Sequence, residues 1–416
     1  MSAIVSSTHG IRPSKRTEQI RYAIRDVMLI AEQARAAGKK LLSLNIGDPL
    51  LYDFPTPPHI IAAAHRAMLD GRNGYAPSAG VPEALEAIRA EAERDGIRNV
   101  QDVFTNSGVS EGIELAIAAL TDPGENILLP SPGYPLYDAA LLSVGAEGVP
   151  YRLDESNGWQ PDLDDMARQI NPKTRAIVVI NPNNPTGAVY SVATLRGILE
   201  LAARHGLVIF ADEIYSKMVL DGQPGDQPFV PMASLTSDLP IITFNGLSKG
   251  YLVPGFRIGW GIVSGPKQEV AHYCEAIQKL MRARLCASHP MQFAIKPALE
   301  GDQSHIHVVK EKLRRRRDLT VSVLNSFPEI SCVAPQAAFY AFPRLKIKKS
   351  DTEFVRDLIL ETGVIVVPGS GFGPANAEAY PAAYHAAADH FRVVFLPQDD
   401  VLEKALRLIG DFAGQG

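Results

Sequence analysis

Cysteine is scarce in this sequence: three of its 416 residues are cysteines, and none lies in a C-x-x-C pair. That count and spacing indicate neither a disulfide framework nor a zinc site, and low cysteine use is typical of a reducing compartment. The chain also lacks an apolar run long enough to cross a membrane, and its first residues lack the apolar segment of a signal peptide. We therefore expect a cytoplasmic protein with no metal and no membrane partner.

Positive charge is also in deficit, since the formal net charge is -5 at pH 7. A general nucleic-acid binder would usually be basic, so we expect no nucleic-acid partner. Hydrophobic residues make up 46% of the chain, enough for a substantial core and too many for a disordered chain. The length suits one large domain and a smaller one.

Apolar strands alternate with helices between about residues 100 and 265. This pattern predicts an α/β domain with a mainly parallel sheet covered on both faces. A helix is predicted over residues 18–37, and after about residue 300 a long helix and shorter strands predict an α+β domain. We assign residues 1–49 (arm and helix) and 301–416 to the small domain, and residues 50–300 to the large one.

Two other features have simpler interpretations. Apolar residues flank the run Arg314–Arg317 at helical spacing, which favours a solvated helix face over a binding patch. The glycine-rich segment PGSGFGP (368–374) follows a strand, but no amphipathic helix follows the glycines. It is therefore predicted to be an ordinary loop and not a dinucleotide site.

Polar side chains follow three of the predicted strands. Asp212 comes directly after LVIFA, Asn184 follows AIVVI, and Lys249 follows IITFN. Ligands of open α/β sheets bind beyond the carboxyl ends of the strands. These three side chains are therefore expected at one edge of the sheet, as a binding or catalytic site.

The segments around these residues resemble the signatures of class I aminotransferases, which are fold type I enzymes dependent on pyridoxal 5′-phosphate (PLP). They are NPNNPTG (181–187), ADEIY (211–215), GLSK (246–249) and PGFRIGW (254–260), and the similarity runs from LNIGDP (44–49) to HFRVVFLP (390–397). Further segments, including YPLY (134–137) and RLCAS (284–288), resemble bacterial alanine (glutamate–pyruvate) aminotransferases. The resemblance implies a mainly parallel seven-stranded sheet and a homodimer with shared active sites.

The resemblance also implies catalytic roles for three residues. Lys249 is expected to carry PLP as a Schiff base and to move a proton between the substrate Cα and the cofactor C4′. Asp212 is expected to pair with the pyridine nitrogen, so that the ring withdraws electrons. Tyr215 and Asn184 are expected to bond the phenolic oxygen, and Tyr134 to stack on the ring.

The cofactor phosphate requires donors, and the segment between a strand and a helix at residues 106–112 suits an anion. The resemblance assigns this role to Gly108, Val109, Ser110, Ser248, Arg257 and, from a partner subunit, Tyr75. Many relatives carry a serine three residues before the lysine, where this chain has Gly246. One hydroxyl contact to the phosphate is therefore expected to be missing.

Substrate carboxylates require further donors. Arg392 is expected to bind the α-carboxylate through two parallel hydrogen bonds, with Asn184 and the backbone of Gly47 beside it. Tyr22 and Arg25 lie three residues apart on the first predicted helix. The resemblance implies that this segment can fold over the active site. We therefore expect Tyr22 and Arg25 to contribute to substrate binding, with Arg25 at the distal carboxylate of glutamate.

The implied reaction is ping-pong transamination of L-alanine and 2-oxoglutarate, with amino acids and 2-oxoacids as substrates. Aspartate or aromatic transamination stays open, because few residues set side-chain specificity. A PLP-dependent C–S β-lyase of the same fold shares the core motifs. An effector module of a transcription regulator is disfavoured, because only about 40 residues precede LNIGDP, too few for a DNA-binding domain.

Overall fold

The computed structural model describes residues 11–20, 23–221 and 229–415. Its helices are α1 (Ala23–Ala36), α2 (Pro58–Leu69), α3 (Pro82–Arg94), α4 (Val109–Leu120), α5 (Leu136–Val144), α6 (Leu163–Gln169), α7 (Val192–His205), α8 (Lys267–Arg284), α9 (His289–Gln292), α10 (Ile295–Glu300), α11 (Ser304–Leu324), α12 (Asp351–Thr362) and α13 (Asp399–Ala413). Its strands are β1 (Leu42–Ser43), β2 (Val100–Ser107), β3 (Asn126–Ser131), β4 (Glu147–Asp154), β5 (Gln160–Pro161), β6 (Thr174–Ile180), β7 (Val208–Asp212), β8 (Ile241–Gly246), β9 (Ile258–Ser264), β10 (Ile330–Ser331), β11 (Tyr340–Ala341), β12 (Arg344–Leu345), β13 (Val364–Ile365), β14 (Val367–Pro368) and β15 (Phe391–Val394).

The main sheet has the strand order β2-β9-β8-β7-β6-β3-β4-β5. Strands β4, β3, β6, β7 and β8 run parallel to one another, whereas β9 is antiparallel to both β8 and β2, and β5 is antiparallel to β4. Seven of the strands have five to eight residues, and β5 is a two-residue strand at the edge. The prediction of a mainly parallel sheet is confirmed, but the described sheet has eight strands and not the expected seven, because the short strand β5 adds to its edge.

Side chains of the central strands point alternately into two separate hydrophobic cores. Ile177 and Val179 of β6 belong to one core, whereas Ala176, Val178 and Ile180 belong to the other. Helices such as α3 and α7 cover the first face, and α4, α5 and α8 cover the second. Burial on both faces explains why these strands are apolar at nearly every position.

The C-terminal third of the chain forms a third core beside the main sheet. Strands β11, β15 and β14 make a small antiparallel sheet, packed with α11, α12 and α13. The N-terminal strand β1 pairs in parallel with β13, so that Leu42 lies opposite Val364. The N-terminal strand β1 is thus part of the C-terminal part of the fold. The domain bounds given above stay predictions.

Helix α1 begins at Ala23, later than the predicted start at residue 18. Residues Lys15–Gln19 instead form a separate 3-10 turn, and Ile20 is extended. Tyr22 lies outside the described residues, and of Arg25 only the backbone position in α1 is described. The expected roles of these two residues therefore stay predictions.

The predicted solvated face of Arg314–Arg317 is wrong for two of the four residues. Arg316 is 1% exposed and donates to Asp53 at 2.8 Å and to Asp399 at 3.3 Å. Arg317 is 8% exposed and pairs with Asp221. The carboxylates come from distant parts of the chain, so the local pattern gave no sign of them. Buried arginines of this kind require such partners.

The segment 368–374 is a loop, as predicted, with a short 3-10 turn at Gly369–Phe372. Further 3-10 turns follow it at Ala377–Ala379 and Ala382–Asp389. Within the described ranges, no helix combines the length and the hydropathy that a membrane span requires. The same residues contain no cluster of histidine, cysteine and acidic side chains suited to a metal ion.

Candidate active site

A cavity of about 500 Å³ lies at the carboxyl ends of the central strands. Most of the residues predicted for the site line it: Gly47, Val109, Ser110, Tyr134, Asn184, Asp212, Tyr215, Ser248, Lys249, Arg257 and Arg392. Tyr75 is not among the lining residues; it lies on the surface and is 83% exposed. The remaining lining is mostly apolar, with Ile46, Ile113, Leu136, Ile180, Ile214, Pro254 and Tyr340.

Lys249 lies three residues beyond the end of β8, and its side chain is half-buried. The Nζ atom donates to the backbone carbonyl oxygen of Gly47 at 2.9 Å. It also lies 5.4 Å from the ring centroid of Phe339 and 5.9 Å from that of Tyr215. The amine is therefore held inside the cavity, where Gly47 contributes its carbonyl oxygen.

Asp212 is the last residue of β7 and is almost fully buried. Its Oδ2 accepts a hydrogen bond from the Tyr137 hydroxyl at 3.2 Å, and its Oδ1 accepts one from the Ile214 N–H at 3.3 Å. Burial raises the pKa of Asp212 to about 6, and these two hydrogen bonds oppose that rise. A cationic partner in the cavity would favour the ionised carboxylate.

Tyr215 reaches the same cavity from a tight turn that follows Asp212. The three-residue step from Asp212 to Tyr215 is not a helical one, because the chain makes a turn here and a 3-10 helix begins only at Ser216. The Tyr215 hydroxyl lies 2.8 Å from the hydroxyl of Tyr340. Burial raises the pKa of Tyr215 well above its usual range, so its hydroxyl keeps its proton.

The N-terminus of α4 forms one end of the cavity. Gly108 precedes this helix with φ of 78°, and Val109 and Ser110 are its first two residues. A Cβ at Gly108 would overlap the Arg257 guanidinium, which lies directly against the glycine. Arg257 Nη2 donates to the Ser107 carbonyl at 3.4 Å. Helix N–H groups, hydroxyls and a guanidinium together make this end suited to a phosphate.

The structure explains why residue 246 is a glycine, which the sequence alone did not. It pairs with Gly259 across β8 and β9. A Cβ at Gly246 would lie 2.8 Å from the Ile258 carbonyl oxygen, and one at Gly259 would lie 2.5 Å from the Val109 nitrogen. A serine at residue 246 would therefore require the backbone to shift. The glycine pair lets the start of α4 pack flush against the sheet.

Arg392 lines the cavity from strand β15 and is 1% exposed. It donates to the Asn45 carbonyl oxygen at 2.6 Å and to Asn184 Oδ1 at 3.1 Å. Its Cζ lies 4.5 Å from the ring centroid of Tyr340 and 4.9 Å from that of Phe372. Aromatic faces and amide oxygens hold the guanidinium rigidly, in a setting suited to a planar carboxylate.

These parts fit PLP. Ser110 and Arg257 lie at the N-terminus of α4, where Gly108 admits the guanidinium, and Ser248 lines the same cavity; all three suit the phosphate. Asp212 and Lys249 line the same cavity. The buried acid suits the ring nitrogen of the cofactor, and the lysine amine suits its aldehyde. The half-buried ring of Tyr134 borders it as well.

Two tyrosines of the site escaped the sequence reasoning. Tyr137 occurs in the quoted segment YPLY, and Tyr340 begins strand β11. The sequence gives neither hydroxyl a partner, because Asp212 and Tyr215 lie 75 and 125 residues away along the chain. A buried tyrosine usually bonds through its hydroxyl, but the partner becomes visible only in the fold.

Known proteins similar to this chain are aminotransferases. The family "Aminotransferase class I and II" matches residues 39–409. Glutamate-pyruvate aminotransferase AlaA of Escherichia coli (strain K12) is 40% identical over 97% of this chain and 98% of its own length. An alanine aminotransferase structure from Pyrococcus furiosus has a TM-score of 0.90 and 40% identity, covering 97% of this chain and all of its own. A tyrosine aminotransferase of Mus musculus is 32% identical, covering 98% of this chain and 88% of that protein. This chain belongs to the class I and II aminotransferases, fold type I enzymes whose cofactor is pyridoxal 5′-phosphate.

Proposed function

We propose that the enzyme transfers the amino group between L-alanine and 2-oxoglutarate, giving pyruvate and L-glutamate by a ping-pong mechanism. The observation that carries the transamination is one cavity in which Lys249, Asp212, Arg257 and Arg392 converge. The choice of alanine is supported by relatives named glutamate-pyruvate and alanine aminotransferase, each 40% identical over nearly the whole chain. The tyrosine aminotransferase is more distant, at 32%.

Lys249 is the proposed anchor and proton carrier. When bound, PLP supplies an electron-withdrawing ring that takes up the electron pair released at the substrate Cα. The Lys249 amine, once released from the cofactor, would take the Cα proton and deliver it to C4′. The Gly47 carbonyl, which now accepts from Nζ, is the group proposed to orient this amine.

Recognition of the two anions is proposed to divide between the two ends of the cavity. Arg257, Ser110 and Ser248, with the N–H groups after Gly108, would hold the phosphate. Arg392 would hold the α-carboxylate, beside Asn184, whose amide is already aligned by the arginine. Tyr134 would cover the ring, and Tyr215 would donate to the phenolic oxygen. Separate anion sites fix the Cα between them.

The proposal is tested by a half-reaction screen. The PLP form is mixed with single amino acids, and the absorbance change to the pyridoxamine form is followed. L-Alanine and L-glutamate should react fastest, and steady-state rates with alanine and 2-oxoglutarate should give parallel lines. Preference for aspartate or tyrosine would contradict the alanine assignment. Pyruvate and ammonia formed from a cysteine conjugate without any oxoacid would instead favour the β-lyase.

Asp212→Asn should stabilise the cofactor-free protein above about pH 6 while lowering activity. The folded pKa of about 6 exceeds the ordinary value of 3.8. As pH rises between them, the unfolded chain ionises first, and the folded state loses stability that it does not regain at higher pH. We expect a gain on the order of 2–3 kcal/mol at about pH 8 and of only about 0.5 kcal/mol at about pH 4. Urea unfolding at both pH values checks this, and an equal gain at both would contradict it.

We further propose a cytoplasmic homodimer in which Tyr75 of one copy reaches the phosphate of the other. The support is that Tyr75 is 83% exposed and absent from the cavity of its own chain.

Among the described residues, the cations that line the cavity are Lys249, Arg257 and Arg392. Each already has a proposed role, so a distal carboxylate requires another donor, for which Arg25 stays the candidate.

A further inference from the structure

Tyr340 lies at the centre of the site and has no role in the mechanism above. It begins β11, is 3% exposed and lines the cavity. Its hydroxyl is 2.8 Å from that of Tyr215, and the two rings meet edge to face at 84°. The contact between the hydroxyls is therefore fixed by the packing of both rings.

Two further contacts hold Tyr340 in place. The Arg392 guanidinium carbon lies 4.5 Å from the centroid of its ring. On another side, a Cβ at Gly47 would overlap the Tyr340 hydroxyl. Gly47 thus leaves room for this hydroxyl, beside the carbonyl that accepts from Lys249. Tyr340 lies between the proposed carboxylate site and the proposed site of the phenolic oxygen.

The direction of the hydrogen bond follows from counting protons. Each tyrosine hydroxyl has one proton to donate and lone pairs to accept. If Tyr215 donates its proton to the phenolic oxygen of the cofactor, it accepts from Tyr340 and cannot donate to it. Positive charge beside a phenol ring makes its hydroxyl a better donor, and Arg392 lies against the Tyr340 ring.

We propose that Tyr340 is a positioning residue: it donates its hydroxyl proton to Tyr215 and thereby directs the Tyr215 proton to the phenolic oxygen of the cofactor. This inference rests on the proposed roles of Tyr215 and Lys249 toward the cofactor, not on the choice of alanine as substrate. In a chain of hydrogen bonds each bond strengthens the next. Tyr340 therefore stabilises negative charge on the phenolic oxygen without touching it.

Removal of the Tyr340 hydroxyl proton should change the pH dependence of the absorbance of the PLP-bound enzyme. A less stabilised phenolic oxygen holds the proton shared with the Lys249-linked nitrogen more tightly, so the pH midpoint of the absorbance change rises. Tyr340→Phe keeps the ring over Arg392 and removes only the hydroxyl. A net hydrogen bond of ordinary strength corresponds to a rise of about 0.5–1 pH unit.

The experiment is a double-mutant cycle with Tyr215→Phe, read by this pH titration. Tyr340→Phe should raise the midpoint in the wild-type background and leave it unchanged in the Tyr215→Phe background. No rise in the wild-type background, or the same rise in both, would overturn the proposal. Tyr151→Phe is the matched control, because this buried hydroxyl donates to the Val178 carbonyl at 2.8 Å, away from the cavity; it should not shift the midpoint.

Kinetics give a second measurement on the same variants. Since the ring over Arg392 remains, the KM for the amino acid donor in Tyr340→Phe should stay within about twofold while kcat falls. A rise in KM with kcat unchanged would overturn the positioning role. Failure of the alanine assignment can be told apart from failure of this proposal. An enzyme that prefers another amino acid would still show the shift in the pH midpoint caused by Tyr340→Phe.

Discussion

Lys249→Ala should abolish transamination. The variant loses both the amine that holds the cofactor and the base that moves the Cα proton, and a positioned acid–base group alone contributes about 10²–10⁴-fold. With the covalent anchor also lost, we expect kcat to fall by at least about 10⁴-fold. The change to the pyridoxamine form, followed in a single turnover, checks this. Borohydride should no longer fix the cofactor covalently to the protein.

Lys217→Ala is the matched control for this prediction. Lys217 packs against Gly250, the residue next to Lys249, but it pairs with Glu91 at 2.5 Å outside the cavity. If Lys249→Ala acted only by disturbing the turn, Lys217→Ala should inactivate the enzyme as well. We expect Lys217→Ala to stay within a few-fold of wild type. Small amines added to Lys249→Ala should restore part of the proton transfer, and full activity of Lys249→Ala without added amine would contradict the assignment.

The position of the site was predictable because it depends on sheet topology. A polar residue at the end of an apolar strand is visible in the sequence, and parallel strands bring such residues to one edge. Asp212, Asn184 and Lys249 therefore met where expected. The two-faced sheet was predictable for the same reason, since strands such as β6 are apolar at successive positions.

Contacts between distant segments were not predictable from local patterns. Tyr137 and Tyr340 matter through the residues that their hydroxyls meet, and Arg316 is buried because Asp53 and Asp399 reach it from elsewhere. The pattern around Arg316 was the same as for an exposed helix face. The reason for Gly246 is of the same kind, because the neighbouring backbone leaves no room for a side chain there. Side-chain packing decides each of these cases.

Arg392→Ala should cause the second largest loss, and it should appear in substrate binding. Removing one partner of a buried, hydrogen-bonded charge pair costs about 2–5 kcal/mol. That range corresponds to a fall in kcat/KM of roughly 30- to 4,000-fold. The loss should be common to every amino acid with an α-carboxylate, whatever its side chain. Half-reaction rates at several alanine concentrations separate the loss of binding from that of chemistry.

Arg392→Lys makes the test sharper, because it keeps the positive charge and removes the planar fork. A point charge cannot reproduce two parallel bonds to a carboxylate, so kcat/KM should still fall by at least about tenfold. Arg316→Lys is the control, since Arg316 is equally buried, at 1%, but bonds Asp53 and Asp399 outside the cavity. Both variants should lower stability, and only Arg392→Lys should weaken saturation by alanine. Equal effects of the two variants on alanine saturation would mean that Arg392 acts through the fold and does not bind the carboxylate.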